Sequence, residues 1–153
     1  MANPDSVAQY YLDSFGNGRI AVVQATALNT TGNAVIAIPF LNGGLTKGSS
    51  SVSSGSVIIR RITVNNPSGS VASANVSITT SNDGNTSNAV VASVALANVT
   101  TTGTYQDLTI ASPYSTTTAV SGLNTSALFV NINTASGNNN TVTIAVYGDV
   151  VQF

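Results

Sequence analysis

Eight short runs rich in Val, Ile, Thr and Ala follow one another from residue 19 onward, each stopped by Gly, Asn, Ser or Pro. They span Arg19–Leu28, Ala34–Leu41, Val57–Val64, Ser70–Thr80, Ala89–Ala97, Thr104–Ala111, Ala127–Thr134 and Thr141–Phe153. Nothing between them is long and periodic enough for the helix that a parallel crossover needs, so the strands are expected to pair antiparallel. Apolar positions alternate with Ser, Thr or Asn, which suits sheets with one buried and one wet face. The expected fold is all-β: an antiparallel β-sandwich of about eight strands, most simply of jelly-roll type. The chain of 153 residues suits one such domain over 19–153, preceded by an arm or short helix over 1–18.

Turn chemistry sets the expected boundaries. Asn29-Thr-Thr-Gly-Asn33 reads as a hairpin with Gly32 free to take positive φ. Pro39 lacks a donor and belongs at a sheet edge or a strand end. Asn42–Ser56 reads as a flexible loop, and Asn65-Asn66-Pro67 stops the third run. In the last run Val142, Ile144, Val146 and Val150 share one face, with a bulge expected near Gly148. Helical signal is confined to the N-terminus, where Ser6 and Gln9 have capping-box spacing and Val7, Tyr11, Leu12 and Phe15 form an apolar stripe.

Only 6% of the chain is charged, where about 25% is usual, and His, Cys, Trp and Glu are absent. General acid–base and covalent catalysis draw mainly on residues of those types, so the chain is not expected to be an enzyme or to hold a cofactor or metal. Asp83, in Ser81-Asn82-Asp83-Gly84, supplies one carboxylate where a calcium loop needs several, and reads as a turn. The only basic residues are Lys47, Arg19, Arg60 and Arg61, too few to neutralise phosphates, so no nucleic-acid partner is expected. No run of about 20 apolar residues or secretory leader stands out, so neither a membrane nor an export role is expected.

Arg60 and Arg61 are the most conspicuous pair. Adjacent strand residues point to opposite faces, and Arg60 shares its parity with Ile58, Ile62 and Val64, which assigns it inward. The plain reading is structural ion pairing, with Asp107 and Asp149 as carboxylate partners. The other is a ligand anchor. Tyr10, Tyr11 and Phe15 gather three of nine aromatics near the N-terminus, as a cover for the sandwich or as partner contacts. The apolar ending Val150-Val-Gln-Phe153 is expected to tuck into a sheet or a neighbouring subunit.

The segments Ile59–Pro67 (IRRITVNNP), Gln106–Ile110 (QDLTI), Leu128–Ile132 (LFVNI) and Thr143–Val150 (TIAVYGDV) resemble small decoration, or cement, proteins of tailed-bacteriophage capsids. The resemblance covers roughly residues 55–153. It implies a nonenzymatic structural virion protein, made in the host cytoplasm and carried on the outer capsid surface. There it would bind the major capsid protein as a homo-oligomer, often a trimer, and stabilise capsomer contacts. A second reading is a carbohydrate-binding or host-adhesion module of a head or tail fibre; sugar sites usually want a cluster of exposed aromatics with carboxylates or amides, and here the aromatics are few and scattered though amides are plentiful. A third, ice binding, draws on Thr100–Thr102 and Thr116–Thr118 but lacks a regular Thr-X-Thr ladder.

Overall fold

The computed structural model describes residues 15–40, 56–112, 114 and 127–151. Within them every run forms a strand: β1 (Arg19–Ala27), β2 (Gly32–Pro39), β3 (Ser56–Asn65), β4 (Asn75–Thr79), β5 (Ala89–Ala95), β6 (Gln106–Leu108), β7 (Ala127–Thr134) and β8 (Thr141–Val151). The readings placed on Tyr10, Tyr11 and the rest of residues 1–14, on the loop 41–55 and on Gln152-Phe153 lie outside the described residues.

Two four-stranded antiparallel sheets result, ordered β1-β8-β3-β6 and β2-β7-β4-β5. The pairs nest: β1 with β8, β2 with β7, β3 with β6, β4 with β5. Such nesting is what one long antiparallel hairpin becomes when it wraps so that successive pairs fall into opposite sheets, which is the jelly roll. Pro39 ends β2, an edge strand, where its missing donor costs no ladder bond.

Alternation fills the core from both sheets. Ile62, Val64, Val142, Ile144 and Val146 of one sheet face Ile36, Ile38, Val76, Ile78, Leu128, Val130 and Ile132 of the other, all buried. Full burial of a Val, Leu or Ile side chain contributes roughly 1.5–3 kcal/mol, so these residues supply most of the drive to fold.

Three sequence expectations need correction. Asn29–Asn33 is not a hairpin, because β1 and β2 belong to different sheets. The buried Leu28 offers its carbonyl to Ser136 N at 2.7 Å, and the chain crosses the sandwich there. Positive φ falls on Ala34 (+50°) and not on Gly32. Ser70–Thr80 shortens to Asn75–Thr79, since Val71 and Ala74 enter the core from a turn closed by Ala74 N donating to Val71 O at 2.9 Å. Thr104–Ala111 shortens to Gln106–Leu108 because Ala111 N leaves to donate to Val90 O of β5 at 2.8 Å. The Gln106 amide also donates to Ala95 O at 2.8 Å, so the open edge of β5 is partly covered without any charge.

The uncharged polar residues close one end of the sandwich. Asn138 and Asn140 donate to Ser70 O at 2.9 and 3.0 Å, Ser73 Oγ donates to Ser136 O at 2.7 Å, and Asn29 Nδ2 donates to Asn139 Oδ1 at 2.7 Å. Short amide and hydroxyl side chains satisfy loop carbonyls that would otherwise lack partners.

Candidate functional site

The site begins with a bulge. In the β3–β8 ladder Ile59 pairs with Gly148 and Arg61 with Tyr147, so Arg60 is an extra residue on β3. One inserted residue reverses the inward parity. Ile59 faces the core before it, Ile62 and Val64 face the core after it, and Arg60 and Arg61 both stay at the surface. The inward assignment of Arg60 is therefore wrong, and the expected bulge near Gly148 lies on the opposite strand. Gly148 permits it: a Cβ there would come within 2.0 Å of the Ile58 carbonyl oxygen.

Each arginine meets one aspartate. Arg60 Nε donates to Asp149 Oδ2 at 3.0 Å, with both side chains well exposed. Arg61 forms a two-pronged pair with Asp107, Nε to Oδ1 at 2.8 Å and Nη2 to Oδ2 at 3.1 Å, and its side chain is only 18% exposed. Asp107 stands opposite Thr63 in the β3–β6 ladder, diagonal to Arg61 on the outer face. Exposed pairs contribute about 0–1 kcal/mol, so their value lies in fixing geometry more than in stability.

Two rings approach the Arg61 guanidinium. Phe15, 76% exposed, has its centroid 5.5 Å away, and Tyr105, 57% exposed, lies at 5.9 Å. Both distances are within cation–π range. Tyr147 stands beside Arg61 in the ladder, on the face opposite Val142, Ile144 and Val146. Residues 15, 105 and 147 thus converge, although they are scattered in sequence. Tyr147 was open to discovery, because its parity in β8 is that of the outward residues. Tyr105, in a loop after Gly103-Thr104, left no periodic signal.

Two of these rings, Tyr105 and Tyr147, border an open cleft of about 480 Å³ lined also by Arg61, Thr63, Asn65, Asn66, Gly103 and Thr104. A second depression of about 340 Å³, lined by Ser77, Ala92 and Asn133 among others, sits on the other sheet and has no aromatic lining. Among the described residues no group of three or more His, Cys, Asp or Glu could hold a metal, and no helix is long and apolar enough to cross a membrane.

Asp83 forms a tight turn. Its Oδ1 accepts from the Ser81 hydroxyl and from Asn85 N, the latter at 3.0 Å. The Ser81 bond first, then the Asn85 amide, hold the carboxyl below its ordinary value of 3.8.

The fold and site define a jelly-roll β-sandwich with an arginine–aromatic cleft on one outer face. No family model, curated protein or solved structure matches the chain.

Proposed function

We propose that the protein is a nonenzymatic structural component of a bacteriophage virion, a decoration protein that binds the outer surface of the head and stabilises capsomer contacts. The nested strand order supports this reading most, because jelly rolls of eight strands recur in viral capsid domains. The uncharged surface fits the same reading: a net charge of −1 gives a free monomer little colloidal repulsion, which a protein working in an assembly tolerates. Its partner is the major capsid protein, and a homo-oligomer, a trimer in the favoured form, sits at local symmetry points. The protein is made in the host cytoplasm and resides on the capsid.

The test mixes purified protein with undecorated capsids. Co-sedimentation with the capsids and a rise in their melting temperature are expected; absence of both overturns the reading.

A further inference from the structure

We infer that the cleft beside Arg61 is a binding site for a neutral saccharide. The inference stands whether or not the protein rides on a capsid.

Its lining combines two ligand-facing chemistries. Tyr105 and Tyr147 offer aromatic surface, while Asn65 and Asn66 offer amide groups that both donate and accept. A pyranose has the matching character, with apolar C–H faces that lie on aromatic rings and equatorial hydroxyls that bond to planar polar side chains. A purely apolar ligand would leave the amides unpaired at a cost. The cleft volume of about 480 Å³ lies within the roughly 300–1,000 Å³ usual for small-ligand sites and suits the end of an oligosaccharide.

Charge selects among saccharides. Arg61 is the charged lining residue, and the fork to Asp107 at 2.8 and 3.1 Å meets its charge. The cleft therefore presents planar donors without an excess of positive charge, which favours a neutral sugar over a sulfated or carboxylated one. The same fork, with rings at 5.5 and 5.9 Å, holds the guanidinium in place before any ligand arrives. Little rotamer freedom is then lost on binding.

The full chain would be applied to an immobilised panel of neutral oligosaccharides of hexoses and N-acetylhexosamines, beside sulfated and sialylated ones, and hits titrated by calorimetry. Binding to neutral members is expected, with affinity lowered about tenfold or more in Tyr105→Ala, retained in Tyr105→Phe, and unchanged in Arg60→Ala, which lies outside the cleft. Tyr105 is more than half exposed, so its truncation leaves the fold intact, checked by unchanged thermal unfolding. Binding to no neutral glycan, binding only to anionic ones, or equal affinity in Tyr105→Ala each overturns the inference. Loss of capsid attachment in Tyr105→Ala with no glycan bound would reassign the cleft to a protein contact.

Discussion

Gly148 is where a single atom has the largest consequence. The clash of an added Cβ is with the Ile58 carbonyl at 2.0 Å and with Ile59 Cα at 3.2 Å, backbone atoms that cannot swing aside as a side chain can. Gly148→Ala is expected to destabilise by about 1–3 kcal/mol, the range of overpacked sites, and to shift the Arg60 bulge. Urea unfolding checks the first effect, and a change under about 0.5 kcal/mol would show that the bulge yields freely. Asp83 carries a second expectation at this scale. Its pKa is lower folded than unfolded, so the folded state gains from the ionised carboxylate above about 3.8, and this gain fades as pH falls through the lower folded value. NMR titration should place the Asp83 midpoint below 3.8, and Asp83→Asn should be less stable than the parent at neutral pH but equal to it once the parent's carboxylate is protonated. A midpoint at or above the ordinary value would contradict the Ser81 and Asn85 bonds.

Strands were legible in the sequence because turn residues and β-branched runs are local signals, whereas the irregularities that place the site depend on partners far along the chain. Gly, Asn and Pro marked all eight strands, yet the extra residue at Arg60 exists only because β3 lies against Gly148 of β8. The pair of arginines between Ile58-Ile59 and Ile62 was itself a sign that strict alternation would bury a charge. The irregularity in β2 is of the same kind. Between Gly32 and Ile36 two residues more lie on β2 than on β7, and Ala34, at positive φ, donates its N–H to Asn131 Oδ1. Asn131, 2% exposed, passes its amide to Thr79 Oγ1 at 3.1 Å, and Thr79 donates to Ser81 O at 2.8 Å. This buried chain ties β2, β7 and β4 together on a face that alternation alone would leave wet. Asn131→Leu keeps the branching and heavy-atom count of the side chain but strands the Ala34 N–H, at an expected cost of about 1–3 kcal/mol in denaturant unfolding. A neutral result would mean that the β2 bulge relaxes to a regular ladder, and amide exchange at Ala34 would reveal it.

For the whole molecule, nesting makes the ends of the chain interdependent. β8 lies between β1 and β3, so Arg19 near the start of the described chain pairs with Tyr147 near its end, and Val142, Ile144 and Val146 complete the core of that sheet. The β1-β8-β3-β6 sheet is not complete until β8 arrives, since β1 has no other partner in it among the described strands. Among the described strands only the β4–β5 pair joins consecutive strands within a sheet; each other pairing closes a longer loop, whose entropy must be overcome before its contacts form. Refolding from urea is therefore expected on the millisecond-to-second scale of non-local β proteins. Ile144→Ala, which empties a fully buried position of β8, should lower stability by about 2–5 kcal/mol. A chain ending at Asn140 should show no cooperative unfolding by circular dichroism. Microsecond relaxation, or a cooperative transition in the shortened chain, would mean that part of the sandwich, such as the β2-β7-β4-β5 sheet, folds without the last strand to cover it.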